Sequence, residues 1–469
     1  MCGIAGFHGR HDHNLAVQMV DEMHRKLAHR GPDGHGIVVD NETIHGHTRL
    51  ALNDLSIGAA QPMKTYSAGS RESILSFNGE IWDHQQLRLE YLPEVKNWGS
   101  SGDTATLGKM LHHFGTGILP EIDGMFAFCF SHAGGAFLVR DRFGKIPIYI
   151  GKIEEHFATG IIWASERKAF PRGIKPLSVP PGHLINLNTG KLQQWYAVPT
   201  DGPELQPAEI VSHLRTATER RMQADAAVCC LISGGLDSAM ILSLVRETRP
   251  DVEAFTVKFD EDSEDLAAAR RLCSELSVPL IEVEVDLTPE HFEDALEAIE
   301  ISSKAQIEIA AMCLPLAKSI SERGFKACLS GEAADELFGG YGNFCIAASK
   351  QSPAAVRKLR REQLSKMARG NFIRCNKAFM AHSVECRLPF MQKELVEAAM
   401  QQSLSSSPGG KRLLKEAAVG IVPDWVIKRK KETFQGATGS AAQAAQFFAS
   451  PVKYYNAELR KRFGYLPKD

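Results

Sequence analysis

The chain has no apolar stretch approaching the roughly 20 residues needed to cross a bilayer, so no membrane role is expected. It also has little net charge. Its 54 Lys and Arg against 56 Asp and Glu leave −2, which removes any global pull toward nucleic acid or an anionic membrane. Cysteine is sparse, ten in 469 residues, and single apart from Cys229-Cys230. No CxxC pair or zinc-ligand spacing occurs, so neither a structural zinc site nor a disulfide scaffold is expected, and a reducing cytosol is the simplest setting. Internal repeats and low-complexity tracts are missing as well. The opening Met-Cys-Gly-Ile-Ala-Gly-Phe-His-Gly has no basic segment and no long apolar core, which argues against a signal peptide.

What is present is ordinary for a soluble globular protein, with 44% hydrophobic and 23% charged residues. The length suggests two to four domains at roughly 100–200 residues each.

The first 195 residues read as short β-runs between turns. They include Gly36-Ile-Val-Val, Ser73-Ile-Leu-Ser-Phe, Met125-Phe-Ala-Phe-Cys-Phe, Gly135-Ala-Phe-Leu-Val and Tyr149-Ile. Helices fit Ala16 to Ala28, where Val17, Val20, Met23 and Leu27 recur at helical spacing, and Thr104 to Phe114. Many strands with few helices suggest stacked sheets in an α+β layer arrangement. Three prolines and a glycine between Pro199 and Pro207 read as a linker. Units of 1–198 and 209–469, joined by 199–208, are expected.

Beyond the linker the pattern alternates. A helix from Glu209 to Gln223 leads into the apolar run from Ala226 to Ile232, then Ser233-Gly-Gly-Leu-Asp-Ser and a helix from Ala239 to Arg246. Strands at Val252–Phe259 and Pro279–Val285 flank a helix at Leu266–Leu276. This βαβ order predicts a parallel, doubly wound sheet with ligands at the C-terminal strand ends. The remainder to about residue 430 reads as mostly helical, and the last 35 residues carry little signal.

A cysteine at position 2 has a chemical use. Once Met1 is removed, which the small second residue favours, the Cys2 α-amine lies beside its own thiol. With a pKa near 8 that amine can act as base near neutral pH, so one residue supplies nucleophile and general base. Gly3 and Gly6 leave room for substrate and tight turns. A bare Met-Cys pair is weak evidence. It gains weight from the motifs that follow in order: His29-Arg-Gly-Pro-Asp-Gly, His47-Thr-Arg-Leu, Asn78-Gly-Glu, Ser101-Gly-Asp, Arg140-Asp-Arg-Phe-Gly and Ala164-Ser-Glu.

The glycines of Ser233-Gly-Gly-Leu-Asp-Ser would let the backbone approach phosphates, the helix start adds N–H donors, and Ser233 and Ser238 add hydroxyls. Asp237 can take Mg²⁺. No Gly-Lys-Ser/Thr follows, so this is not a Walker A loop. Downstream stand Leu329-Ser-Gly-Glu-Ala-Ala-Asp-Glu-Leu-Phe-Gly-Gly-Tyr, Ser383-Val-Glu-Cys-Arg-Leu-Pro-Phe and the basic run Lys428-Arg429-Lys430-Lys431.

The first motif series resembles class II glutamine amidotransferase domains, which are N-terminal-nucleophile hydrolases. The glycine-rich loop resembles that of ATP pyrophosphatases. Together, over about residues 1–435, the chain resembles the glutamine-dependent asparagine synthetase family.

The resemblance implies stacked antiparallel sheets with helices, then a parallel-sheet synthetase domain with added helices. It implies Cys2 as nucleophile, an oxyanion hole at Asn78 and Gly79, Arg49 on the glutamine α-carboxylate, and Glu80 and Asp103 on its α-ammonium. For ATP it implies Leu231, Ser233, Gly234, Gly235, Asp237, Ser238, Val257 and Gly331. Asp237 and Asp335 would hold Mg²⁺, Glu332 would face the reacting carboxylate or ammonia, and Lys431 would stabilise phosphate charge. Glutamine, ATP and a carboxylic acid are the implied substrates, aspartate by default. A cytoplasmic enzyme, with room for a homodimer, is expected, with no nucleic-acid or membrane partner.

Three departures bear on the acceptor. The family's Thr-Thr-Ile-Arg stretch corresponds to Ala305-Gln-Ile-Glu, placing Glu308 where an arginine is usual. Pro-Phe-Leu-Asp becomes Pro389-Phe-Met-Gln392, and the C-terminal region is short. Glu308 would repel a carboxylate, which raises the alternative of a different acid from aspartate. Intramolecular lactam synthetases and non-catalytic scaffolds on this fold are disfavoured, because Cys2, Arg49, Asn78-Gly79 and the nucleotide loop are intact.

Overall fold

Strand β1 (Gly3–His11) begins one residue after Cys2 and is fully buried over its first six positions. In this computed structural model, which describes residues 1–66, 72–199, 202, 205–341, 353–401, 411–429 and 440–467, β1 lies inside a six-stranded sheet. Its antiparallel neighbours are β3 (Thr43–Arg49) and β9 (Ala158–Ala164). Beyond them lie β2 (Gly34–Asp40) on one side, and β8 (Tyr149–Glu155) and β10 (Leu177–Ser178) on the other. Neither β1 nor β3 stood out in the sequence as a strand, because glycine and histidine interrupt both.

A second sheet orders β4 (Met63–Thr65), β5 (Ser73–Ile81), β6 (Gly124–His132), β7 (Gly135–Arg140), β11 (His183–Asn186) and β12 (Lys191–Gln194). The two sheets meet face to face. His45 bonds across to Ser131 at 3.0 Å and His47 to the Phe77 carbonyl at 3.1 Å. Burial lowers both imidazoles to about 3, so they are neutral packing groups. Helix α1 (His13–Arg25) covers the first sheet with Ala16, Met19, Val20 and Met23. It starts before Ala16 because Asp12 caps it, accepting the Leu15 N–H at 3.1 Å. Its predicted end at Ala28 is instead a 3₁₀ turn (Ala28–Arg30) that still buries Leu27. On the outer face of the second sheet lie α2 (His84–Tyr91) and α3 (Asp103–Phe114).

Helix α4 (Pro207–Met222) opens the C-terminal half. Pro207, at the end of the proline-rich segment, is its first residue, where a missing N–H costs nothing. Five parallel strands follow: β13 (Val228–Leu231), β14 (Ala254–Lys258), β15 (Leu280–Glu284), β16 (Ala327–Leu329) and β17 (Glu385–Arg387), ordered β15-β14-β13-β16-β17. The chain fills one side of β13 and then crosses to the other. The switch point, where open α/β sheets bind ligands, therefore lies between β13 and β16. Helices α5 (Leu236–Thr248), α6 (Glu264–Leu276), α7 (Pro289–Ile299), α8 (Lys304–Glu322) and α9 (Ala334–Phe338) surround the sheet, with Asn371–Met380 against α8. The weakly informative C-terminus forms helices Ser440–Phe447 and Pro451–Phe463, whose Phe447 and Tyr455 pack on Phe292 of α7. Among the described residues no helix is long and apolar enough to cross a membrane.

Candidate active site

The Cys2 N–H donates to Asn78 Oδ1 at 2.9 Å, and its thiol points to the Leu50 carbonyl at 3.9 Å. Asn78 and Gly79 lie in β5, which brings the second sheet up to the start of β1. Gly79 has φ 155°, and a Cβ there would run into the Met125 carbonyl and the Phe126 backbone, so only glycine allows β5 and β6 to approach this closely.

Glu80 follows and accepts from Asn53 Nδ2 at 2.5 Å. Asp103, first in α3, accepts the Ile81 N–H at 2.9 Å. Burial pushes the Asp103 carboxyl up to about 6, and burial with Glu385 and Asp103 pushes Glu80 well above its usual range. Cys2, Arg49, Gly79, Glu80 and Asp103 line one pocket. Arg49 is held at its rim, donating to the carbonyls of Ser56 at 2.9 Å and Asp54 at 2.5 Å. Burial raises the Cys2 thiol despite the opposing effect of the Met1 ammonium, which favours its neutral form.

Met1 is buried across the contact between the two halves. Its ammonium pairs with Glu385 of β17 at 2.8 Å, and its sulfur accepts from Asn376 at 3.0 Å. Arg30 is fully buried alongside, donating to the Cys2 carbonyl at 2.9 Å, Glu166 at 2.6 Å and Asn376 at 3.0 Å. Arg387 of β17 reaches to 3.5 Å from Glu80.

At the switch point, the loop after β13 closes on itself. The Ser233 N–H donates to Ser238 Oγ at 3.1 Å, and Ser238 donates to the Gly235 carbonyl at 3.2 Å. Gly234, at φ 72°, passes so close to α6 that a Cβ would lie 2.9 Å from Ala268. Gly331, after β16, is pressed against the same loop, where a Cβ would lie 2.8 Å from the Ser238 nitrogen. Leu231 ends β13 and Val257 stands in neighbouring β14, so the residues predicted for ATP gather at the C-terminal ends of three adjacent strands.

Lys411 bridges Asp237 and Asp335, lying 2.7 Å from Asp335 Oδ1. Burial lowers its pKa, but Asp237 and then Asp335 more than reverse that, so the amine is charged. Two carboxylates converging on one cation form a hard-oxygen pair beside the loop. That set fits Mg²⁺, which takes one or two protein carboxylates when phosphates supply the rest.

Glu332 is gripped by Arg374 and Asn371, the latter donating at 2.8 Å. Gln306 completes the cluster, accepting from Arg374 at 2.8 Å and donating to Asn371 at 3.0 Å. Burial and Glu332 raise the neighbouring Glu336 to about 7. The Cys375 thiol lies 3.7 Å from Glu332 and also lines the cavity beside Met1, so the two centres are separated by only a few side chains.

Two expectations change. Glu308 is buried and paired with Lys304 at 2.5 Å, with Tyr455 nearby, while Gln306 faces Glu332 and Arg374. Two positions apart on a helix is about 200° of rotation, so Glu308 points away from the Glu332 cluster and cannot repel an acceptor there. Gln392 is not at that cluster either. It accepts from buried Arg221 at 2.7 Å and donates to Glu394 at 2.6 Å, a structural bond under α4. In the basic run, Lys428 is exposed and Arg429 donates to the Gly234 carbonyl at 3.0 Å while pairing with Asp265. Lys431 lies outside the described residues.

Arg30, Lys411, Arg374, Glu385 and Arg387 carry no role that the sequence alone points to. Arg30, Glu385 and Arg387 sit inside quoted motifs, which was a usable signal. Lys411 follows a segment with no local pattern, and only the fold brings it to Asp237.

A family model described as a glutamine amidotransferase domain matches residues 1–223, and one described as asparagine synthase matches 209–365 and 347–462. Asparagine synthetase B [glutamine-hydrolyzing] of Escherichia coli (strain K12) is 30% identical over 459 residues, covering 89% of this chain and 79% of that protein. Asparagine synthetase [glutamine-hydrolyzing] 1 of Arabidopsis thaliana is 28% identical over 453 residues, covering 92% and 74%. The Zea mays asparagine synthetase [glutamine-hydrolyzing] is 29% identical over 456 residues, covering 92% and 74%. A half of two antiparallel sheets followed by a parallel-sheet half, with both family models matched in that order and relatives of 28–30% identity over most of both chains, makes this chain a member of the glutamine-hydrolysing asparagine synthetase family, an amidotransferase and ligase.

Proposed function

We propose that residues 1–198 hydrolyse glutamine at Cys2 and that residues 209–469 use the released ammonia to amidate an acyl-adenylate, with aspartate as the default acid and asparagine as product. The observation that carries this is the single pocket joining Cys2, Gly79, Glu80, Asp103 and Arg49, set back to back with the Glu332 cluster through Cys375.

In the glutaminase step Met1 is first removed. The Cys2 amine then takes the thiol proton, sulfur attacks the side-chain carbonyl of glutamine, and the Asn78 amide with the Gly79 N–H stabilises the oxyanion. The C–N bond breaks, ammonia leaves with a proton, and water hydrolyses the thioester to glutamate. Arg49 receives the substrate α-carboxylate, and Glu80 and Asp103 its α-ammonium.

In the synthetase step the acceptor carboxylate attacks the α-phosphorus of ATP and pyrophosphate leaves. Ammonia attacks the acyl carbon and AMP departs. The Ser233–Ser238 loop cradles phosphate oxygens, Lys411 and Lys431 offset their charge, and Glu332 orients the incoming nitrogen. Asp237 and Asp335 would hold Mg²⁺, which supplies charge neutralisation when bound.

A second acceptor acid is favoured by one observation. Arg374 is already engaged by Glu332 and Gln306, so it is not presented to a second carboxylate of the substrate. Glutamate, AMP and pyrophosphate release measured over a panel of carboxylic acids tests both readings. Asparagine formed from aspartate ends the second, and no turnover with aspartate but turnover with another acid ends the first. Cys2→Ala should lose glutamine-dependent synthesis and keep the ammonia-dependent reaction, and retained glutamine hydrolysis would show the nucleophile to be misassigned.

A further inference from the structure

The loop after β3 determines how the glutamine pocket presents its charges. Asp54 and Ser56 lend their carbonyls to Arg49, and Asn53 donates to Glu80. Asp54 has φ 52°, a left-handed conformation that a residue with a side chain holds only with outside support. Part of that support is local, since the Asp54 carboxylate accepts from Ser100 Oγ at 2.5 Å and the Ser101 N–H at 3.0 Å.

The rest comes from the other half of the chain. Asp225 Oδ2 accepts the Asp54 N–H at 2.7 Å, and the Asp225 N–H donates to the Leu52 carbonyl at 2.9 Å. The Ala226 N–H reaches that same carbonyl at 3.3 Å. The turn holding Asp225 joins α4 to the start of β13, whose far end carries the Ser233–Ser238 loop. Its Gln223 carbonyl accepts from Arg387 at 3.0 Å, the arginine that approaches Glu80.

We propose that Asp225, a residue of the synthetase half, is a positioning residue for glutamine recognition: its carboxylate holds Asp54 in place and thereby fixes Arg49 at the pocket rim. The proposal rests on the glutaminase reading above. Asp225 touches neither substrate nor nucleotide. Loss of its carboxylate leaves the Asp54 amide to water, and the strained residue, its carbonyl and Arg49 can then relax together.

The test uses the full chain and measures glutamate release against glutamine concentration, together with the urea midpoint and amide exchange across residues 50–58. In Asp225→Ala, KM for glutamine should rise roughly three- to tenfold, as loss of one solvent-accessible hydrogen bond of ordinary net worth predicts. Turnover at saturation and the urea midpoint should hold, and exchange at the Asp54 amide should accelerate. Asp225→Asn keeps an acceptor oxygen and should stay near wild type. An unmoved KM in Asp225→Ala, or a fall in kcat and stability in step with KM, overturns the positioning role. Should Asp225→Ala fail to fold, faster Asp54 exchange in Asp225→Ser decides the same question, and unchanged exchange overturns it. A wild-type chain that releases no glutamate defeats the glutaminase reading and this proposal with it, whereas hydrolysis with unmoved KM defeats only the role of Asp225.

Discussion

At the scale of single residues, the glutamine pocket depends on atoms that are missing as much as on groups that are present. Gly79 is the clearest case, because a methyl there has no direction to move: it meets the backbone of β6, not a flexible side chain. Gly79→Ala should therefore push β5 away from Cys2 and misplace its own N–H. Losing one oxyanion donor typically costs about 10²–10³ in turnover. Glutamate release should fall by about that factor while ammonia-dependent pyrophosphate release continues; equal loss of both would mean that the change disrupts the fold and not the site. The acids nearby need no such gap. Glu80 and Asp103 are buried as a pair with raised pKa values, so a substrate ammonium that joins them relieves their mutual repulsion.

At the scale of elements, the second centre is made where two loops meet. Asp237 stands in the first turn of α5, just behind the loop after β13, Asp335 in the first turn of α9, just behind the loop after β16, and Lys411, at the start of a short helix (Arg412–Ala417), ties them together. Removing that ammonium leaves two carboxylates facing one another. Lys411→Met should consequently lower the Mg²⁺ concentration for half-maximal pyrophosphate release, because the acids hold a divalent cation more tightly. It should also raise KM for ATP, because the phosphates lose a cation. Titrations of pyrophosphate release against each ligand distinguish the two effects, and unchanged values for both would place Lys411 outside the nucleotide site. The same scale explains the misreading at Glu308. Residue type in a motif says nothing about which face of α8 a side chain occupies, and the rotation between Gln306 and Glu308 decides which one meets Arg374.

At the scale of the whole molecule, the halves are joined by buried polar contacts. Glu300, after α7, accepts the N–H groups of Arg167 at 2.8 Å and Lys168 at 2.7 Å and pairs with Lys377, whose ammonium lies 4.6 Å from the Tyr149 ring centre. Both side chains of the ion pair are fully buried. Breaking such a pair leaves an uncompensated charge at a cost of about 3–5 kcal/mol. Glu300→Gln should lower stability by about that amount in chemical denaturation. Adding Lys377→Met should recover part of the loss, since the stranded charge is then gone. A single variant as stable as wild type would show that water or another group compensates Lys377.

The strand-rich first part, the switch to βαβ alternation, the glycine-rich loop and the ordered motifs of the first 195 residues were legible in the sequence, because each is a local pattern of periodicity, glycine placement or spacing. Ser233–Ser238 could be singled out on that basis, whereas the roles of Cys2 and Asn78-Gly79 came from the family that the ordered motifs resemble. The opening strand β1 was not legible, since its glycines suit close packing, as Gly6 does against Trp163, and weaken any propensity signal. Contacts between distant segments depend only on where those segments come to rest: Met1 on Glu385, Arg30 on Asn376 and Asp225 on Asp54 across the halves, and Lys411 between two acids within the second. Sequence by itself determined which chemistry this chain carries. Tertiary structure alone decided which polar side chains face that chemistry and which, like Glu308 and Gln392, are turned into the core, because burial and pairing depend on neighbours that no local window contains.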